Sequence, residues 1–316
     1  MFLGILAAVG AGLLWAVMGA VISRTARRNI DLLTLMIFYG IASLVGAWTF
    51  LARYGELGEG GLPDKLGWLS VIMVTCGVAD AVSVVLLQKA MRAGHHGVVW
   101  TMSKSGFVMP FLASIWIFHE PATPFKLGSL GAILASVICF GLVSATSVPA
   151  AVPVVGAAPG PAGGSTSLPS RAGRSWFILA LTALVITGAV QAFATFPSQW
   201  TNWHDRGNLR IPIYYIGVTA GYLVISLFVR RQVDFKVLPW ALLVSVTALF
   251  SLVLIFYSLD TLNKVDMTSM SYPIGMGVCI TAFALYSLLI LREPVKPLYV
   301  VALLLGIAGV ALGAMH

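Results

Sequence analysis

Charge is scarce in this chain of 316 residues: 19 Lys and Arg stand against 11 Asp and Glu, so 9% of the sequence is charged. Soluble domains carry about 25%, which excludes an ordinary water-soluble protein. Cysteine is scarce as well. Cys76, Cys139 and Cys279 each fall inside an apolar run, with no spacing that suits a disulfide framework or a metal site, and read as small buried apolar residues. No H-E-x-x-H or G-x-S-x-G is present, and no Gly-rich phosphate loop. Zinc hydrolysis, an esterase elbow and pumping powered by ATP on this chain therefore lose their usual signatures, and no cofactor or metal is expected. The basic residues are spread singly or in short groups such as Arg27-Arg28 and Arg230-Arg231. That is no nucleic-acid-binding stripe, but it suits orientation signals beside membrane spans. No Lys or Arg precedes the first apolar run, so that run lacks the basic start of a cleaved signal peptide and is expected to be a helix of the mature protein.

What the chain does have is hydrophobic length: 59% of residues are hydrophobic and the mean hydropathy is +0.95. A spanning helix needs about 20 apolar residues. The runs predict helices over 3–23, 32–51, 67–88, 97–118 and 127–146, then over 176–196, 211–229, 238–258, 270–291 and 297–315. The expected fold is an all-α integral membrane protein of about ten transmembrane helices. Residues 147–175 are rich in Pro, Gly, Ala and Ser and read as a linker. It separates a first five-helix unit (1–146) from a second (176–316).

A short motif recurs in both units. Glu120-Pro121-Ala122-Thr123-Pro124 follows the fourth helix and Glu293-Pro294-Val295-Lys296-Pro297 follows the ninth, each before a helix rich in small residues. Five helices per half is odd, so a duplicated half must enter the membrane from the opposite side, giving inverted repeats. The motif also has a plain structural role, because proline suits the first turn of a helix.

With Trp15 in the first helix, Glu120-Pro121, Glu293-Pro294 and the Gly-rich fifth and tenth helices, the chain resembles the drug/metabolite transporter superfamily, its EamA-like branch in particular. The resemblance implies a secondary carrier (a permease) of small polar metabolites with its site between the repeats. Pro110 fits the proline that the family often has late in the fourth helix, whereas Pro273 sits well before the matching point of the ninth.

Lys and Arg on the side of the termini are Arg53, Lys65, Lys126, Arg206, Arg210 and Lys264; twelve lie on the other side. The positive-inside rule then puts both termini outside a bacterial-type inner (plasma) membrane. The resemblance implies the opposite orientation.

Lys104 and Asp80 are the ionisable residues deepest in the expected spans, and such residues are candidate functional groups by default. The third and fourth helices must run antiparallel, and about 1.5 Å per residue places both groups at similar depth. Two readings follow: an ion pair fastening two helices, or a site in which Lys104 meets an anionic group on the solute and Asp80 holds it or takes a proton. Trp100 shares the Lys104 helix face with Phe107 and Phe111. Trp15, Gln191, Ser271 and Tyr272 are further candidates for solute contact, and Pro110 and Pro273 for kinks that gate it. Gly309 with Gly313, and Gly131 with Ala135, suit close packing of the tenth and fifth helices, within one chain or across a homodimer. The competing classes are a membrane-embedded enzyme and a channel or scaffold.

Overall fold

The computed structural model describes residues 1–27, 31–51, 65–93, 96–145, 172–200, 209–228, 234–290 and 297–315. No strand occurs among them. In chain order the helices are α1 (Phe2–Arg27), α2 (Leu32–Gly46), α3 (Leu66–Ala93), α4 (His96–Lys104), α5 (Val108–Trp116) and α6 (Pro124–Ala145). After the gap follow α7 (Ala172–Thr195), α8 (Arg210–Leu227), α9 (Leu238–Asn263), α10 (Ser271–Leu289) and α11 (Pro297–Ala314). Eight helical segments among the described residues are long and apolar enough to cross a bilayer. An α-helix is the natural form there, because lipid offers no partner to a free N–H or C=O. Exposed Phe50, Trp68, Trp116 and Phe228 point outward, as lipid-facing side chains do.

Local chemistry sets several boundaries. Asp31 caps α2, accepting from Leu33 N at 3.3 Å and Thr34 Oγ1 at 2.7 Å. The last proline of each E-P-x-x-P copy, Pro124 and Pro297, is the first residue of α6 and of α11, where no N–H partner is needed. Glu293 and Pro294 lie outside the described residues, as does most of the expected linker; its last residues, 172–175, already belong to α7.

One expected helix is not continuous. The run 97–118 is split into α4, a 3₁₀ turn at Ser105–Phe107, and α5. Pro110 explains the split: its ring clashes with the carbonyl four residues back, at Gly106, so the chain loosens there. Pro273 plays a different part. It sits in the first turn of α10, where it starts the helix and interrupts nothing.

Helices pack across the two halves of the chain. α1 lies on α9 and α10, α7 on α3 and on the α4–α5 pair, α2 on α8 and α9, α3 on α8, and α6 on α11. Glycine permits the closest crossings. A Cβ on Gly77 would stand 2.2 Å from Tyr214 O, and one on Gly217 would stand 2.1 Å from Val74 O. Gly12 meets Gly275 O at 2.2 Å in the same sense, and Gly106 meets Gly188 N at 2.8 Å. On the α6–α11 seam Ser129 Oγ donates to Gly309 O and Ser136 Oγ to Ala302 O, both at 2.6 Å. Gly309 and Gly313 thus pack against α6 within the chain, whereas Gly131 faces outward with nothing near its missing Cβ.

Candidate functional site

The close crossing at Gly77 and Gly217 fixes what lies one turn away on each helix: Asp80 on α3 and Tyr214 on α8. The Gly106–Gly188 contact likewise fixes Lys104, two residues away at the end of α4, together with the adjacent Thr187 and, one turn on, Gln191 on α7. Met18 and Trp15 on α1, with Tyr272 and Met276 on α10, approach through Gly12 and Gly275. These side chains line a cavity of about 90 Å³ between the halves, with Tyr39, Tyr215, Ser251 and Phe256 also along its wall. It lies midway along α1, α3 and α9.

Of the residues singled out in the sequence, Lys104, Asp80, Trp15, Gln191 and Tyr272 line this cavity together. Trp15 is stacked with Tyr272, the rings parallel within 4° and their centroids 6.4 Å apart. Lys104 Nζ lies 4.6 Å from the centre of the Trp100 ring, a cation–π contact. Trp100 itself is buried behind Lys104, against Gly19 and Phe283, and does not line the cavity. Ser271 also stays outside it and joins α9 to α10 through Ser258 Oγ at 3.2 Å. Phe107 and Phe111 are fully buried core residues.

Asp80 and Lys104 do not form a direct ion pair. Both face the cavity, but no N···O distance between them is 4.0 Å or less. Ser83 Oγ, 2.7 Å from Thr187 Oγ1, ties α3 to α7 with uncharged groups. Gln191 Oε1 is buried without a hydrogen-bond partner.

Two features escaped the sequence reading. The first is a tyrosine cluster beside Asp80: Tyr39 and Tyr215 share a hydroxyl contact of 3.4 Å, and Tyr39, Tyr214, Tyr215 and Tyr222 pack edge to face. Its signal was the run Ile213-Tyr214-Tyr215 with Tyr222 seven residues on, the same helix face. The second is a polar layer below the cavity. Arg210, expected as a loop charge, is buried, pairs with Asp260, donates to Ser198 Oγ at 2.7 Å and lies over Phe256. Helix α9 runs five residues beyond its expected end, which brings Asp260 inside it.

The first copy of the repeated motif belongs to the same layer. Glu120 accepts from Lys126 Nζ at 2.6 Å, from Ser269 N at 2.9 Å and from Ser269 Oγ at 2.6 Å. Lys126 Nζ also donates to Pro121 O and Asp266 O. The neighbouring Thr268 donates to Asn263 Oδ1, and Asn263 donates to Ser198 O, so the two ion pairs are linked through these hydrogen bonds and the short backbone steps at Thr268–Ser269 and Ser198. His119 and Asp266, on either side of it, adopt positive φ of 56° and 52°.

No protein-family model matches this chain, and no curated protein does. A solved structure described only as a crystal structure of a protein superposes with a TM-score of 0.65 at 12% identity, over 99% of this chain and 98% of its own. At that identity the two share a fold.

Proposed function

We propose that the chain is a secondary carrier that moves a small polar solute across a membrane by alternating access, with the cavity as its binding site. The observation that carries this reading is the cavity itself: small, midway along the helices, and lined by two ionisable side chains that do not neutralise each other in direct contact. Intramembrane ionisable groups are costly and mark solute or ion pathways.

The packing supports ten helices in two inverted repeats. Exchange α1 with α7, α2 with α8, α3 with α9, α4–α5 with α10, and α6 with α11. The contact of α1 with α9 then becomes that of α7 with α3, and the contact of α1 with α10 becomes that of α7 with α4–α5. The contact of α2 with α9 becomes that of α8 with α3, while α2–α8 and α6–α11 map onto themselves. The crossings at Gly12–Gly275 and Gly106–Gly188 are exchanged likewise. Such an architecture has two related conformations available to it, each opening one side.

Lys126 and Arg210 are buried in ion pairs and give no orientation signal. Setting them aside leaves four basic residues on the side of the termini against twelve, which favours termini outside a plasma membrane of bacterial type. The Gly309 and Gly313 stripe is used inside the chain, so a homodimer would need another surface of α6 or α11.

Counterflow in liposomes tests the reading. Protein reconstituted with a trapped metabolite pool should accumulate the labelled partner with saturation, and Lys104→Met should abolish it. Flux that never saturates would support a channel, and chemical conversion without translocation an enzyme; either overturns the proposal.

A further inference from the structure

Among the described residues, the buried charges elsewhere are matched at contact distance. Lys126 meets Glu120 and Arg210 meets Asp260. Asp80 and Lys104 depart from that habit, each turned to the same cavity with the other beyond 4.0 Å. An ion taken from water without a close counter-charge is costly, so each side of the cavity favours an occupant of opposite sign. A monoanion would satisfy Lys104 and burden Asp80; a monocation would do the reverse. One molecule carrying both signs satisfies both.

The surroundings sort the two ends. Beside Asp80 stand Tyr39, Tyr214 and Tyr215, whose ring faces and hydroxyl oxygens attract an ammonium. Gln191 Oε1, buried and unpartnered, adds an acceptor for an N–H or O–H of the occupant. Lys104 is a donor only and suits a carboxylate. Size narrows the class further. One water needs about 10–15 Å³ on this scale, so a cavity of about 90 Å³ takes roughly six to nine heavy atoms.

We propose that the cavity binds a small zwitterion, its ammonium at Asp80 and the tyrosines and its carboxylate at Lys104. This rests on the cavity being the solute site of the carrier reading, and it replaces a simple anion with a molecule of two charges.

Thermal unfolding of the full chain in detergent tests it with glycine, alanine, serine, proline and trimethylglycine. Alanine methyl ester, which lacks the anion, and N-acetylalanine, which lacks the cation, serve as controls. At least one zwitterion should raise the melting temperature saturably, with an apparent affinity tenfold or more above that of either control. Lys104→Met should erase the preference over the ester, and Asp80→Asn the preference over the N-acetyl compound. Lys104→Arg, which keeps the charge, should retain it and so separates binding from misfolding. A monoanion that stabilises as well as any zwitterion, no stabilisation by any zwitterion, or preferences that survive both substitutions would overturn the proposal. Zwitterion binding without counterflow would refute the carrier and leave this assignment standing; counterflow of anions alone would do the opposite.

Discussion

Glu120→Ala is the substitution whose consequence can be worked furthest. The Glu120 and Lys126 side chains are only 5% and 1% exposed, and their contact at 2.6 Å is supported by two further bonds from Ser269 to the same carboxylate. Removing the carboxylate leaves a buried ammonium with two carbonyls, Pro121 O and Asp266 O, and no counter-charge. Breaking a buried pair from one side costs about 3–5 kcal/mol. The Ser269 N–H also loses its acceptor at the entry to α10. We expect Glu120→Ala to lower unfolding stability in detergent by about 3–5 kcal/mol, and Glu120→Gln, which can still accept from Ser269, by about half as much. Adding Lys126→Met to Glu120→Ala should recover most of the loss, since an apolar replacement of both partners is often neutral. Equilibrium unfolding of wild type, Glu120→Ala, Lys126→Met and the double variant closes a double-mutant cycle. A Glu120→Ala loss below about 1 kcal/mol, or additive losses in the double variant, would refute this account of the Glu120–Lys126 pair.

Gly217→Ala forces α3 and α8 apart by about 1.3 Å if the Cβ is to reach ordinary contact with Val74 O; overpacking of this kind costs about 1–3 kcal/mol, and solute-induced stabilisation should fall because Asp80 and Tyr214 separate. Unchanged melting and binding would contradict the crossing. Gly131→Ala should be neutral or stabilise by about 0.5–1 kcal/mol, since its Cβ meets open space within a helix. Gly309→Ala, 2.6 Å from Ile133 Cγ1 and 3.0 Å from Ile133 N, should destabilise, and the opposite ranking in thermal unfolding would reverse the assignment of the α6 face. Ser129→Ala should cost about 0.6 kcal/mol, the average for a hydrogen bond between membrane helices; a loss above about 2 kcal/mol would mean that Ser129 does more than bond Gly309 O.

The helices were legible because lipid imposes a length on each apolar run, and the runs are separated by Pro, Gly and charge. Lys104 and Asp80 were legible for the opposite reason, being ionisable where the surroundings are apolar. Tyrosine gives no such contrast. Tyr39 and Tyr215 are uncharged and sit inside apolar runs, and only the Gly77–Gly217 crossing brings that cluster to Asp80. Arg210 misled because a charge at a helix start reads as a loop residue until Asp260 is seen opposite. The 3₁₀ turn at Ser105–Phe107 was announced by Pro110, but proline within a span has several outcomes, and packing of Gly106 on Gly188 selects among them. The distance between Asp80 and Lys104 was out of reach: helical depth brings two groups level without saying whether they touch.

The polar layer that joins Lys126, Glu120, Ser269, Thr268, Asn263, Ser198 and Arg210 occupies one end of the bundle, while Trp100, Phe283 and Tyr286 stack toward the other. Water treats these two ends differently. Parting the first hydrates ions along with buried side chains such as Leu262, Met267 and Met270. Parting the second wets aromatic surface, which raises heat capacity and becomes easier on cooling. In a carrier cycle the two openings, one rich in ions and the other in aromatic rings, would therefore answer temperature unequally.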